Sequence, residues 1–196
     1  MVHTPEVSET RPPGAGKSSF DLIEPARLLS ELPLKPGITF LDLGCGAGNY
    51  TMAVAEVIGA HGVVVALDLW PPGIETLEER AMATGRRNIR AVLADISKTI
   101  PLGDHSVDVC LMATVLHDLV EFAMEKGALE ETARVLKPGG VLAIVEFDKV
   151  EAPPGPPLRI RLTPQEVETL VVPYGFQKTR TARVGPFNYL ILFIKK

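Results

Sequence analysis

An apolar strand that runs straight into three closely spaced glycines most narrows what this chain can fold into: Phe40-Leu41-Asp42-Leu43-Gly44-Cys45-Gly46-Ala47-Gly48-Asn49-Tyr50. Strand, G-x-G-x-G and helix in that order make the opening crossover of a βαβ unit whose loop meets a ligand with bare backbone. One glycine turns the chain off the strand, and the others remove side chains where a ligand approaches.

Strand and helix signals alternate beyond this loop. Ile38 to Leu43 reads as a buried strand, and Tyr50 to Ile58 as a helix stopped at Gly59. Val63 to Leu67 is a β-branched strand ending in Asp68, and Ile74 to Thr84 a helix that opens after Pro71-Pro72 and closes at Gly85. Ile89 to Leu93 and Val107 to Met112 read as strands. Leu119 to Leu136 reads as one long amphipathic helix stopped by Lys137-Pro138-Gly139-Gly140, with Val141 to Phe147 as the next strand. The alternation predicts a parallel sheet with both faces covered.

Toward the C-terminus, Ala152 to Pro157 packs four prolines and a glycine into six residues and must be a stiff surface loop. Thr163-Pro164-Gln165-Glu166 carries an N-cap, a first-turn proline and a capping-box acid for a helix to about Val172. Phe176 to Ala182 and Phe187 to Ile194 read as a closing antiparallel hairpin.

Composition bounds the possibilities. At 196 residues, with no apolar run of bilayer length, the chain reads as one domain able to bury about 70% of its unfolded surface. Met1 to Thr10 carries acids and no apolar h-region, which argues against a secretory signal. Cys45 and Cys110 fall in core or loop segments, so a reducing, cytoplasmic setting is expected, with no disulfide framework and no metal site. The net charge of −4 and the small basic cluster of Arg86, Arg87 and Arg90 argue against nucleic acid as substrate.

The glycine spacing also selects among ligands. A dinucleotide fingerprint, G-x-G-x-x-G/A, would need glycine or alanine at Asn49, and the third glycine comes one residue early at Gly48. NAD and FAD are therefore disfavoured, whereas the shortened loop suits an adenosine with an amino-acid tail, which points to S-adenosylmethionine.

Further segments share a family's order and spacing: Val64-Val65-Ala66-Leu67-Asp68, Ala91-Val92-Leu93-Ala94-Asp95-Ile96, Ser106-Val107-Asp108-Val109-Cys110-Leu111-Met112-Ala113, and Ala133-Arg134-Val135-Leu136-Lys137-Pro138-Gly139-Gly140-Val141-Leu142. Across roughly residues 38 to 147 the chain resembles the class I S-adenosylmethionine-dependent methyltransferases, in particular the type 11 or UbiE-like small-molecule group. The resemblance implies a Rossmann-like, seven-stranded mixed α/β sheet of order 3-2-1-4-5-7-6, with strand 7 antiparallel. Residues 1–35 would form an N-terminal flap and helix on a core of residues 36–196, and a homodimer is an open possibility.

Asp68, twenty residues after Gly48, stands where a carboxylate can accept both ribose hydroxyls, the role the family gives an acid there; the plain alternative is a carboxylate serving the next helix start. By resemblance Asp95 would accept from the adenine amino group, framed by Ala94 and Ile96, against the alternative of a solvated turn acid. Asp42 inside the first strand would be costly without the loop amides or the ligand as partner. The expected cofactor-binding set is Asp42, Gly44, Cys45, Gly46, Gly48, Asn49, Asp68, Leu69, Ala94, Asp95, Ile96, Ala113 and Thr114.

After the fourth strand, Ala113-Thr114-Val115-Leu116-His117-Asp118 is where acceptor and methyl group should meet. Methyl transfer from a sulfonium needs position, desolvation and at most one proton acceptor, for which His117 is the candidate; a packing histidine is the alternative. Asp118 reads as an N-cap. The segment lacks the Asn/Asp-Pro-Pro-Tyr of base and glutamine methylation, and arsenite methylation needs more cysteines than Cys45 and Cys110. A small-molecule or lipid-like oxygen, carbon or nitrogen nucleophile remains, with S-adenosylhomocysteine as the other product.

Gly14-Ala15-Gly16-Lys17-Ser18 ends like a phosphate-binding loop, but Arg11 stands where the first glycine belongs and Pro12-Pro13 replaces the preceding strand. The segment reads instead as a flap ahead of a helix around Pro25 to Leu32, where Lys17 or Phe20 could cover cofactor or substrate. Arg159 and Arg161, at the end of the Pro-rich loop, could bind an acceptor carboxylate or phosphate; exposed, solvated arginines are the alternative. A non-catalytic S-adenosylmethionine sensor or regulatory subunit is the alternative function, and an NAD-linked oxidoreductase a distant third.

Overall fold

The computed structural model describes residues 14–151 and 153–196. Arg11, Pro12-Pro13, the acidic stretch of residues 1–10 and the first part of the expected flap lie outside the described residues. The strands are β1 (Thr39–Leu43), β2 (Val63–Asp68), β3 (Ile89–Leu93), β4 (Val107–Ala113), β5 (Leu136–Phe147), β6 (Phe176–Arg183) and β7 (Asn188–Lys195). The helices are α1 (Pro25–Glu31), α2 (Asn49–Ile58), α3 (Pro71–Ala83), α4 (Leu116–Glu121), α5 (Glu125–Val135) and α6 (Pro164–Val171).

All seven strands form one sheet of order β3-β2-β1-β4-β5-β7-β6. Strands β1 to β5 pair in parallel, and β7 runs antiparallel between β5 and β6. Period-2 alternation sorts the strands' side chains onto two covered faces. Leu41, Leu43, Val65, Leu67, Cys110 and Met112 pack with Leu129 and Val135 of α5 and Val167 and Val171 of α6. Phe40, Val64, Val109 and Leu111 face Val54, Ala55 and Ile58 of α2 and Leu28 of α1. The order reverses beside β1, whose neighbours are β2 and β4, and the carboxyl ends of the strands on either side of that point form the crevice in which such sheets bind ligands.

The long helix expected over Leu119 to Leu136 is two helices. The chain breaks at Phe122-Ala123-Met124, where Ala123 takes a left-handed φ of 54°. Close approach accounts for the break: α5 presses Gly127 against the β3–β4 connection, where a Cβ would meet the Ser97 carbonyl oxygen at 2.1 Å. The strand expected from Val141 begins at Leu136, because Leu136 already pairs with Val107 and a register shift absorbs Lys137 to Gly140. Asp118 lies inside α4 rather than capping it, and Val115 holds the cap position. The capping box forms as expected: Thr163 Oγ1 accepts from the Glu166 N–H at 3.2 Å, and Glu166 Oε2 from the Thr163 N–H at 2.7 Å.

The Pro-rich loop is held from within. Arg161 is buried, and its guanidinium donates to the carbonyls of Asp148, Val150, Pro154 and Pro156 while lying 5.8 Å from the Phe147 ring centre. Proline has no N–H, so a run of them leaves carbonyls in need of donors, and a five-donor fork is suited to satisfy them.

A non-glycine residue in the left-handed region costs about 1–2 kcal/mol. Ala123→Gly should therefore raise the urea midpoint by the equivalent of up to about 1 kcal/mol, and Ala123→Val should lower it.

Candidate active site

The glycine loop leaves β1 at the reversal point and is clamped by α3. A Cβ on Gly48 would strike Leu77 Cδ1 at 2.3 Å, and one on Gly44 would strike Val115 Cγ2 at 2.5 Å. Gly46 is different: φ is +53° and a Cβ there would meet nothing within 4 Å. Two glycines thus allow close packing behind the loop, and the middle one borders open space on the side where a ligand would lie. Arg80, one turn on from Leu77, donates to the Ala47 carbonyl at 2.5 Å and to Asn49 Oδ1 at 2.8 Å.

Asp68 ends β2 facing the loop. Oδ2 accepts from the Gly46 N–H at 2.7 Å and Oδ1 from the Trp70 N–H at 2.8 Å. Each oxygen keeps a lone pair for a hydroxyl donor on the open side. Asp95 lies two residues past the end of β3, and its Oδ1 accepts from the Ser97 N–H at 3.0 Å and hydroxyl at 2.6 Å. Partial burial pushes this carboxyl up, but the Ser97 bonds and Lys98 outweigh it and hold the group below the usual carboxylate range. Leu69, Ala94 and Ile96 follow the same strand ends; Ile96 is buried and Leu69 exposed.

Asp42 points from β1 into the α2 face, fully buried, with Thr51 Oγ1 donating to it at 2.5 Å. Burial, offset in part by Thr51 and reinforced by the charge of Asp68, raises its pKa to about 7. Burial likewise pushes the Cys45 and Cys110 thiols far up, which leaves both inert as nucleophiles.

A cavity of about 140 Å³ lies over the loop, lined by Gly44, Cys45, Gly46, Asn49, Ala113 and Thr114 and by Lys17 from the N-terminal segment. Of the expected cofactor set, Gly48 packs behind it on Leu77, while Asp42, Asp68, Leu69, Ala94, Asp95 and Ile96 are not on its lining. The N-terminal segment roofs it: Ser19 Oγ meets Tyr50 Oη at 2.7 Å and Thr114 Oγ1 at 3.1 Å, and Asn49 donates to Ser18 Oγ at 3.3 Å. Phe20 packs edge-on against Tyr50, with ring centres 5.1 Å apart. Gly14 to Lys17 form a turn, closed by the Lys17 N–H on the Gly14 carbonyl. A wider recess of about 250 Å³, lined by Lys35, Asp108 and Lys137 among others, opens at the amino ends of β1 and β4. Ligands of such sheets lie at the carboxyl ends, so we place the site over the loop.

Thr114 has φ of 57°, which for a β-branched residue is an outlier held by its surroundings. Its N–H donates to the Val145 carbonyl at 2.7 Å. His117 follows in α4, buried, with Nδ1 at 2.7 Å from Glu146 Oε2 and Nε2 at 3.6 Å from Asp118 Oδ1. Burial alone would lower the imidazole pKa, but the Glu146 bond and charge, joined by Asp118, raise it. Burial also raises Asp118. Arg161 lies in the loop core, and Arg159 pairs with Glu121. Sequence reasoning missed Glu146, Arg80 and Tyr50. Glu146 was visible as the one acid in the apolar run Val141 to Phe147.

Residues 41–144 match a methyltransferase-domain family model, type 11. The solved structure of a SAM-dependent methyltransferase from Aquifex aeolicus superposes with a TM-score of 0.82 at 30% identity over 100% of both chains. The UbiE ubiquinone/menaquinone biosynthesis C-methyltransferase of Ectopseudomonas mendocina is 34% identical over 126 residues, 64% of this chain and 46% of the relative. The arsenite methyltransferase of Halobacterium salinarum is 36% identical over 124 residues, 63% of this chain and 30% of the relative. This chain belongs to the type 11 methyltransferase-domain family. It spans about half the length, or less, of these two curated relatives.

Because the folded-state pKa of Asp42 is raised, its contribution to stability is greatest below the unfolded value near 4 and is lost as pH rises through about 7. Asp42→Asn keeps an oxygen for Thr51 and removes that slope. Its stability relative to the parent chain should grow by a few kcal/mol between pH 4 and pH 8.5 in chemical denaturation, each pH unit being worth about 1.4 kcal/mol.

Proposed function

We propose that this chain is an S-adenosylmethionine-dependent methyltransferase acting on a small-molecule or lipid-like acceptor. The observation that carries the reading is the open space over Gly46 beside the carboxylate of Asp68 at the reversal point of the sheet. A Cβ at Gly46 would enter that space, and the third glycine at Gly48 comes one residue early for the dinucleotide pattern, which favours an adenosine with an amino-acid tail over a dinucleotide.

Asp68 holds the ribose through the lone pairs left by its two backbone bonds, and Asp95, framed by Ala94 and Ile96, takes the adenine amino group. The loop at Gly44 to Asn49, whose Gly44, Cys45, Gly46 and Gly48 N–H groups are engaged by Leu67, Asp68 and Cys45, gives the amino-acid tail a close backbone surface, with Asp42 beneath it and Ala113 and Thr114 opposite. When bound, the cofactor supplies a methyl group made electrophilic by its sulfonium. Thr114 and the Gly16 to Ser19 roof exclude water, and His117 is the residue placed to take a proton from an acceptor.

The roof also makes the cavity, at about 140 Å³, smaller than the ~300–1,000 Å³ of small-molecule sites. The Ser19 contacts with Tyr50 and Thr114 therefore part when the donor enters. An arsenic acceptor is disfavoured because both cysteines are buried and protonated. A hydroxylated or ring-carbon acceptor fits better, in keeping with the quinone-pathway name of one relative. Among the described residues no helix is long and apolar enough to cross a membrane.

Titration calorimetry with S-adenosylmethionine, S-adenosylhomocysteine and NAD should show binding of the first two only. Tight binding of NAD alone would overturn the reading. Hydrogen bonds to a charged partner contribute about 1.5–3 kcal/mol, so Asp68→Ala should weaken S-adenosylhomocysteine at least tenfold. Gly46→Ala should abolish binding while the chain stays folded. Binding without methyl transfer to any of a broad acceptor panel would favour the sensor reading.

A further inference from the structure

Glu146 is fully buried on β5, and both of its carboxylate oxygens go to one residue. Oε1 accepts from the His117 backbone N–H at 3.1 Å, and Oε2 meets His117 Nδ1 at 2.7 Å. A carboxylate this deep costs several kcal/mol unless it is paired, and His117 is the cation-forming group in contact with it. A carboxylate at Nδ1 requires a proton there, which fixes the tautomer and leaves Nε2 as the nitrogen that can gain or lose one.

Nε2 faces Asp118. It lies 3.6 Å from Asp118 Oδ1, and a side chain at Gly14 would meet Asp118 Oδ2 at 2.8 Å, so Asp118 stands between the imidazole and the N-terminal segment. Lys17 of that segment lines the cavity and acts on Asp118. The other charges facing the cluster are Arg161 from the Pro-rich loop and Glu121 from α4.

We propose that Glu146 is a positioning residue that holds His117 with its proton on Nδ1, so that Nε2 is the atom that takes the proton of a protic acceptor. The inference rests on the methyltransferase reading above. In the step it serves, the acceptor's proton passes to Nε2, and the freed electron pair forms the bond to the methyl carbon of the sulfonium donor. The pair of the broken carbon–sulfur bond stays on sulfur as a neutral thioether. Asp118 and Glu146 stabilise the imidazolium that results, one at each ring nitrogen. Because Glu146 strengthens the base, the productive neutral form of His117 grows in only as pH rises above the ordinary histidine range.

Long-range nitrogen–proton correlation NMR on the full chain labelled with ¹⁵N-histidine tests this without any acceptor. Neutral His117 should carry its proton on Nδ1, with a titration midpoint above the usual value near 6.5. In Glu146→Gln that midpoint should fall, because the partner that raises it most is lost. Saturating S-adenosylhomocysteine should shift the His117 Nε2 resonance and leave those of His61 and His105 in place. A proton on Nε2 of the neutral ring, or an unmoved midpoint in Glu146→Gln, would overturn the proposal; if that variant does not fold, the tautomer in the parent chain decides. Fluorescence of Trp70, the single tryptophan and a lining residue of the cavity, reports S-adenosylhomocysteine binding separately. No binding there would count against the methyltransferase reading, while tautomer and midpoint still judge Glu146.

Discussion

The carboxylate of Asp68 accepts from two backbone N–H groups that belong to different crossovers, Gly46 after β1 and Trp70 before α3. One side chain thereby fixes how the glycine loop sits against the end of β2 and where the next helix begins. Loop and helix then lock each other through Leu77 on Gly48 and Arg80 on Ala47 and Asn49. An acid at this point answers two demands: it satisfies loop amides that the turn would otherwise leave bare, and it presents charge to the open side. The helix-start reading of this carboxylate is formed in the structure, and the ribose contact is the role proposed for it above.

Elements specified by short-range chemistry were legible in the sequence, and those set by tertiary contact were not. Alternation gave the βαβ succession and the family resemblance implied the strand order that is observed, and the capping box at Thr163 and Glu166 forms as its four residues require. The break at Phe122 to Met124 has no local signal, because all three residues tolerate a helix; it is imposed where α5 meets Ser97, and Gly127 was the trace of that contact. The start of β5 was hidden because Lys137 to Gly140 look like a helix stop and are also compatible with a bulge that lets Leu136 pair.

The site shows the same division. Gly46, Asp68 and Thr114 could be located from motif position alone. Arg161 read as an acceptor contact or a solvated arginine, yet the prolines before it leave a surplus of carbonyls and a nearby five-donor side chain was their natural partner. Glu146 sat unremarked in an apolar strand, although an acid there demands a buried cation or donor and His117 was the nearest motif residue able to provide one. Reading polar residues by what their neighbours lack would have found both.

The clamp of α3 on the glycine loop separates two recognition problems. The glycine loop is shaped from behind by Leu77 and Arg80, while the cavity over it is roofed by the N-terminal segment. Among the described residues, the side chains bonded or paired to His117 are Glu146 and Asp118, and neither is on α3. Drift on the buried face of α3 would therefore move the loop from behind, and drift in the roof would alter what covers it, so the floor and the cover of one cavity can change independently.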